Sequence, residues 1–250
     1  MHILKYIFVV MSLIFSNVYA QTTTFTAVSD VTLIENFNNQ DLANGGADSI
    51  YVGFTQRAGE RRALLRFDLS AIPATANIDS AILKLTFIRG HSDTMTVSLH
   101  KTLNSWGEDL STSFGGAGDQ ALANDATWKY RFFGLLQLWD TQGGDFSPIV
   151  SASKSIPGLQ GVTHDISSAG LLTDVQNWVI QPNNNYGWTL IGDASAKAYA
   201  SRENATAAFR PQLIVSWTPA ANSATDVPLP MWVPILLALI FIYSSRRFLA

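Results

Sequence analysis

The 250-residue chain contains no cysteine, which excludes a disulfide framework and any thiol chemistry. Charged residues are also sparse, at 14% of the sequence. Three of the 16 basic residues lie near the two ends, so residues 21–226 hold 13 basic and 19 acidic side chains, a net charge of −6. Because neutralising a phosphate backbone requires a basic face, this balance argues against a nucleic acid as partner.

The sequence also lacks an apolar run of the about 20 residues that an ordinary membrane span needs. The run nearest the start, Ile7–Phe15, follows the basic segment Met1–Lys5 and leads to Val18-Tyr19-Ala20. These are the three parts of a secretory signal peptide. We therefore expect signal peptidase to remove residues 1–20 and to leave Gln21 as the first residue.

A second short apolar run, Met231–Tyr243, follows Val227-Pro-Leu-Pro230 and precedes Arg246 and Arg247. This arrangement resembles the C-terminal sorting signals of the PEP-CTERM class and its relatives, with Val-Pro-Leu-Pro in place of Pro-Glu-Pro. The resemblance implies export, transient membrane retention and processing by a sorting protease at a bacterial cell surface. The alternative is a plain C-terminal transmembrane helix. Both interpretations place the intervening chain outside the cytoplasm.

The remaining sequence predicts one domain at 21–218, a linker at 219–226 and the sorting or transmembrane segment at 227–250. Alternation of apolar and polar residues predicts short strands in this domain. The clearest strands cover 62–69, 81–88, 95–100, 186–190 and 213–217, and weaker candidates cover 31–35, 49–54, 126–131 and 161–166. In the strand at 62–69, the apolar face carries Ala63, Leu65 and Phe67, and the polar face carries Arg62 and Arg66.

One segment, 167–179, departs from the β pattern. Leu171, Val175 and Trp178 recur there at helical spacing, and Ser167 or Ser168 is a suitable N-cap. Many short strands with glycine-rich turns and a single helix predict an all-β fold. The expected architecture is a two-sheet β-sandwich of jelly-roll type with one short helix.

Several segments resemble, in order, the DNRLRE-domain proteins. They are Arg61–Pro73, Ile78–Leu85, Trp106–Glu108, Val175–Trp178, Asn185–Trp188, Ala200–Asn204 and Arg210–Leu213. That family is similar to carbohydrate-binding module family 96, whose members are β-sandwiches in secreted proteins that act on polysaccharides. The resemblance covers about residues 26–217 and implies a β-sandwich whose partner is a polysaccharide or a cell-envelope glycan.

The tryptophans are candidate sugar-binding residues, because an aromatic face stacks on the C–H surface of a pyranose ring. Those that continue apolar stripes, and are expected in the core, are Trp178, Trp188 and Trp217. The ligand-binding candidates in the loop-rich segment 104–147 are Trp106, Trp128 and Trp139. The alternative is that these three side chains pin long loops onto the sandwich.

Arg66 and Arg202 are the charged ligand-binding candidates, because a guanidinium can bind a uronate carboxylate or sugar hydroxyls. The alternative is that they pair with Asp68 and Glu203 of their own chain.

Three further residues near strand ends and turns, Asp30, Asn44 and Asp48, carry the oxygen ligands that Ca²⁺ prefers. Their spacing matches no calcium-loop motif, and solvated turn residues are the alternative. A structural Ca²⁺ is therefore a possible cofactor, and no other cofactor is expected.

Three functions agree with these features. The first is a surface-displayed, non-catalytic carbohydrate-binding domain, and the second is a structural or adhesive component of the cell envelope or extracellular matrix. The third, a polysaccharide-degrading enzyme, needs two carboxylates about 5 to 10 Å apart across a cleft. The adjacent pair Glu108-Asp109 does not establish such an arrangement, so we expect no enzymatic activity.

Overall fold

The computed structural model describes residues 19–55 and 59–220. The expected signal peptide up to residue 18, and the linker and tail from residue 221, lie outside this part of the chain. Among the described residues, no helix has the length and apolar character needed to span a bilayer.

Fourteen strands and one α-helix make up this part of the chain. The strands are β1 (Gln21–Ile34), β2 (Leu42–Ala43), β3 (Ser49–Thr55), β4 (Gly59–Phe67), β5 (Asn77–Gly90), β6 (Met95–Thr102), β7 (Asp119–Gln120), β8 (Tyr130–Phe132), β9 (Gln137–Leu138), β10 (Phe146–Ile156), β11 (Val162–Ile166), β12 (Trp188–Gly192), β13 (Lys197–Ala200) and β14 (Gln212–Thr218). The helix is α1 (Ala169–Ile180), and single 3₁₀ turns lie at Phe114–Gly116, Pro182–Asn184 and Ala207–Phe209.

Two antiparallel sheets form the predicted sandwich. The first sheet runs from the second half of β1 through β4, β12 and β6 to β10. The second runs from the first half of β1 through β14, β5 and β13 to β3, and β11 also pairs with β5. The end of β3 pairs in addition with β4 of the first sheet. β1 leaves one sheet for the other at a register shift between Ala27 and Ser29. The fold class predicted from the sequence is therefore confirmed.

The core lies between the sheets because each contributes the apolar face of its alternating strands. Leu65 and Phe67 of β4 meet Leu83 of β5 and Val215 of β14 in one buried cluster. The tryptophans assigned to the core, Trp178, Trp188 and Trp217, are 3%, 0% and 6% exposed.

The helix α1 covers one end of this core. Ser168 is its N-cap and accepts a hydrogen bond from the backbone N–H of Leu171 at 3.0 Å, as the sequence indicated. The buried face of α1 places Trp178 against Trp188, with ring centroids 4.6 Å apart at an angle of 60°. Edge-to-face contact of this kind fixes the helix on the first sheet.

Candidate functional site

The loop-rich segment 103–145 packs on the outer face of β4, where the sequence indicated a polar surface. A second buried cluster fills this layer, and its members are Val31, Leu33, Leu64, Trp106, Ala126, Trp128 and Trp139. The first sheet is therefore buried on both sides at this point.

The three tryptophans predicted to bind sugar lie inside this layer. Trp106, Trp128 and Trp139 are 3%, 5% and 4% exposed, so their faces are covered by the chain itself. The indole N–H of Trp106 donates to the carbonyl of Tyr186 at 2.8 Å, and that of Trp139 donates to the carbonyl of Thr127 at 2.9 Å. As placed, these rings offer no open face to a sugar, and their contacts agree with the alternative interpretation that they pin the long loops onto the sandwich. Sugar binding by these three residues stays a prediction.

The arginines of β4 complete the same layer. The guanidinium carbon of Arg62 lies 4.8 Å from the centroid of the Trp128 ring, and that of Arg66 lies 5.6 Å from the Trp106 ring. Arg66 also donates to the hydroxyl of Ser29 at 3.0 Å. The Arg66 side chain also lines a surface cavity of about 550 Å³, where a ligand could reach it. The role of Arg66 in ligand binding stays a prediction.

The other arginine candidate, Arg202, is held in a carboxylate cluster. Its Nε donates to Glu108 Oε1 at 2.8 Å and forms an ion pair with Glu203 Oε1 at 2.9 Å, and its backbone N–H donates to Asp30 Oδ2 at 2.7 Å. One carboxylate oxygen from each of Asp30, Glu108 and Glu203 lies within 4.8 Å of the other two. Glu203 is adjacent to Arg202 in the sequence, so the pairing of these two residues was one of the predicted alternatives. Glu108 lies 78 or more residues from Asp30, Arg202 and Glu203, and no sequence pattern predicts that it joins them.

Burial controls the ionisation of this cluster. Removal from water, together with the charge of Glu203, raises the pKa of Asp30 well above its usual range. Burial also raises the pKa of Glu108 and of Glu203. Burial alone would lower the pKa of Arg202, but its hydrogen bond to Glu108 and the negative charges of Glu108, Glu203 and Asp30 together outweigh burial and raise it.

The two other metal-ligand candidates have structural partners. Asn44 Oδ1 accepts hydrogen bonds from the backbone N–H of Ser113 at 3.2 Å and from its hydroxyl at 3.3 Å. The Asp48 carboxylate accepts a 2.5 Å hydrogen bond from the hydroxyl of Ser49. Within the described residues, Asp30 is the one predicted ligand that joins a group of three carboxylates.

A groove at the end of β3 combines an exposed aromatic ring with polar side chains. We call it the Phe54 groove; it has a volume of about 520 Å³, and its lining includes Tyr51, Phe54, Arg89, His91, Gly116 and Ser195. Phe54 is 50% exposed. In the sequence, Phe54 only ends the weaker strand candidate at 49–54, and nothing in that pattern indicates an exposed ring.

The backbone holds Phe54 rigidly. Its N–H donates to the carbonyl of Ala194 at 2.9 Å, and its carbonyl accepts from the N–H of Ala196 at 2.8 Å. The preceding Gly53 has φ +109°, and a Cβ there would lie 2.6 Å from the carbonyl oxygen of Ala194. A side chain at position 53 would therefore separate the two segments, so glycine is required for the clamp that presents the ring.

The floor of the Phe54 groove is a tyrosine held in place by an arginine. Arg89 donates to the hydroxyl of Tyr51, and its guanidinium carbon lies 5.9 Å from the Tyr51 ring centroid. Gly116, with φ +73°, passes so close that an added Cβ would lie 2.8 Å from that ring. His91 is exposed at the rim. The groove thus offers an apolar face and several hydrogen-bonding groups, the usual composition of a ligand site.

A second groove runs along α1 and is mainly polar. Two adjoining cavities of about 500 and 250 Å³ share Lys101 and Asn177. The larger is also lined by Gln181, Asn184 and Tyr186. This surface could bind hydroxyl groups, but its Trp178 is 3% exposed, and the half-buried Tyr186 offers less open ring surface than Phe54.

Comparison with known families gives one match. The model of carbohydrate-binding module family 96 matches residues 21–113. This segment comprises β1 to β6 and the loop that carries Trp106 and Glu108. The resemblance predicted from the sequence is confirmed over these residues, and it supports a carbohydrate-binding module. No curated protein matches the chain.

Proposed function

We propose that the protein is an exported, surface-displayed, non-catalytic carbohydrate-binding module that uses the Phe54 groove. The observation that carries the proposal is the family match over residues 21–113, which contains Tyr51, Phe54, Arg89 and His91. The partner is a polysaccharide or a cell-envelope glycan. A sugar ring would stack on Phe54, while Arg89, His91 and Ser195 would bind its hydroxyls.

Export is supported by the composition of both ends. β1 begins at Gln21, so cleavage after Ala20 would leave every strand intact. β14 ends at Thr218, so processing of the expected tail would also spare the sandwich. Signal peptidase and a sorting protease are the corresponding partners in this proposal.

The absence of catalysis in this proposal is supported by the placement of Glu108. Its side chain is 6% exposed and is paired with Arg202, so this member of the Glu108-Asp109 pair does not face the Phe54 groove. A glycosidase needs its two carboxylates on either side of the bound sugar.

The binding strength follows from the size of the site. One exposed ring and a few hydrogen bonds correspond to a Kd of about 1 mM for a single sugar, or about −4 kcal/mol. Many copies displayed on one surface would raise the effective affinity for a polymer by avidity.

The proposal is tested with the full-length chain on a panel of polysaccharides, by affinity electrophoresis and calorimetry. We expect Phe54→Ala to weaken binding at least tenfold and Phe54→Trp to preserve it, because the second variant keeps an aromatic face. The matched control is Asn177→Ala in the polar groove along α1, which should bind as the unmodified chain does. Binding unaffected by Phe54→Ala, or no binding to any polysaccharide, contradicts the proposal.

A second candidate function, a structural or adhesive envelope component, is favoured by the β8–β9 hairpin. Leu135, Leu136 and Leu138 are 67%, 66% and 55% exposed. An apolar group of this kind marks a surface for contact with other molecules. Self-association that is abolished by Leu135→Ser with Leu136→Ser, in a chain that binds no glycan, would support this function over the first.

A further inference from the structure

The carboxylate cluster around Asp30 contains buried oxygens without a donor. Asp30 is 0% exposed, and its Oδ1 has no hydrogen-bond partner among the described residues, although Oδ2 accepts from the backbone of Arg202. Glu203 Oε2 is likewise buried and without a partner in this part of the chain, although Oε1 is ion-paired with Arg202. Two carboxylates of the cluster therefore each have one buried oxygen without a hydrogen-bond donor.

Such an arrangement is costly unless another group completes it. A buried polar atom left without a partner costs about 1 to 3 kcal/mol, and a charged one costs more. A water molecule would supply hydrogen bonds but would leave the charge uncompensated. A positive ion bound by the cluster would compensate its negative charge and would bond carboxylate oxygens without the need for a hydrogen-bond donor.

The spacing of the cluster agrees with a calcium ion. Ca²⁺ binds oxygen ligands at about 2.3 to 2.6 Å, so ligands on opposite sides of the ion are up to about 5 Å apart. The three carboxylate oxygens of Asp30, Glu108 and Glu203 lie within 4.8 Å of one another. Mg²⁺ requires near-ideal octahedral geometry and usually keeps several of its waters, whereas Ca²⁺ accepts flexible groups of protein oxygens.

The charge of the cluster agrees as well. Three carboxylates and the guanidinium of Arg202 carry a net charge of −2 when all are ionised, which one divalent cation neutralises. Arg202 contacts Oε1 of both glutamates, so it does not occupy Oε2 of Glu203. The side chains of Glu203 and Arg202 are 20% and 36% exposed, so one side of the cluster lies at the protein surface.

We propose that Asp30, Glu108 and Glu203 form a binding site for one divalent cation, and that their oxygen donors favour Ca²⁺. The ion would join β1, the loop at 103–113 and the loop after β13, three segments distant in the sequence. In a chain without disulfides, it would hold the tryptophan-bearing loop on the sandwich. This site is separate from the Phe54 groove and does not depend on carbohydrate binding.

The test uses the full-length chain, stripped with a chelator and titrated with CaCl₂ in a calorimeter, with thermal unfolding in parallel. We expect one Ca²⁺ per chain, with a Kd of roughly 10⁻⁵ to 10⁻³ M, and a higher unfolding temperature when the ion is present. Asp30→Asn and Glu203→Gln should each weaken binding at least tenfold. The control is Asp165→Asn, an exposed carboxylate of β11 paired with Lys84, which should bind Ca²⁺ unchanged.

Glu203→Gln is the second variant because Glu203 is partly exposed, so this substitution should leave the protein folded. Its circular dichroism spectrum should match that of the unmodified chain, which separates lost ion binding from unfolding. Failure of the unmodified chain to bind Ca²⁺ or Mg²⁺ at about 10 mM, well above the Kd of extracellular sites, overturns the proposal. Equal Ca²⁺ affinity in the unmodified chain, Asp30→Asn and Glu203→Gln overturns it too. Neither result bears on the Phe54 groove, which the glycan experiment tests separately.

Discussion

The indole N–H of Trp188 donates a 2.9 Å hydrogen bond to Oδ2 of Asp174, inside the boundary between α1 and the first sheet. The same oxygen accepts the hydroxyl of Ser151 on β10. One carboxylate oxygen therefore joins the helix to two strands, and Asp174 is 8% exposed. This contact explains why a helix with a charged residue on its buried face is stable on an apolar core.

Replacing Asp174 by Ala should lower the free energy of unfolding by about 2 to 3 kcal/mol, because it leaves two buried donors without an acceptor. Chemical denaturation measures this loss. The control is Thr173→Ala on the exposed side of the same helix, whose hydroxyl bonds only to the carbonyl of Ala169. Its effect should stay within about 0.5 kcal/mol. Equal effects of the two substitutions would show that the carboxylate does not join the layers.

Replacing Trp128 should lower the stability of the fold, because the ring is a packing residue of the loop layer and not an exposed binding surface. Its ring is 5% exposed and packs against Arg62 and Gly143. Trp128→Ala should lower the free energy of unfolding by about 3 to 5 kcal/mol, because it leaves a large cavity under the loop layer. The comparison is Phe37→Ala, an 81% exposed ring, which should change it by less than about 0.5 kcal/mol. A stable Trp128→Ala protein that no longer binds glycan would instead restore the sugar-stacking interpretation.

The sequence predicted the inner faces of the sheets better than the outer layer, and β4 shows why. Alternation placed Leu65 and Phe67 in the core correctly, because a half-buried strand repeats every two residues. The opposite face, with Arg62 and Arg66, looked solvent-exposed. Its burial depends on loops some 40 to 80 residues away whose tryptophans contact these arginines, and local periodicity carries no information about such a contact.

Besides the two-residue strands β2, β7 and β9, two strands of the sandwich, β10 and β13, were not predicted from the sequence. β10 contains Pro148 and no regular alternation of apolar and polar residues, and it lies at the end of the first sheet, where its partner among the described residues is β6. β13 begins with Lys197, whose side chain is fully buried while its ammonium donates to the carbonyls of His91 and Asp93 at 2.7 Å each. The carboxylate cluster could not be predicted from the sequence for the same reason, because Glu108 lies near Asp30 only in the folded chain.

Acidification should destabilise the protein through His164. This side chain is 8% exposed, and burial, with the charge of Lys154, lowers its pKa in the folded state. The unfolded chain therefore takes up a proton first as the pH falls below about 6.5, so the free energy of unfolding decreases. His164→Gln should lose less stability than the unmodified chain between pH 7 and pH 5, as measured by denaturation at each pH. The exposed His91→Gln serves as the control, and a variant at position 164 with an unchanged pH profile would contradict the assignment.

Two glycines allow the free-energy cost of a left-handed backbone to be measured separately from the cost of a steric clash with a neighbouring strand. Gly187, in the Asn185-Tyr-Gly-Trp188 segment, and Gly161 both have φ +76°. A Cβ on Gly187 would lie 2.1 Å from the carbonyl oxygen of Leu65 in β4, whereas nothing lies within 4 Å of one on Gly161. Gly161→Ala should therefore cost about 1 to 2 kcal/mol, the strain of the backbone alone. Gly187→Ala should cost clearly more, because β12 must also move away from β4, and equal losses in chemical denaturation would rule out that contact.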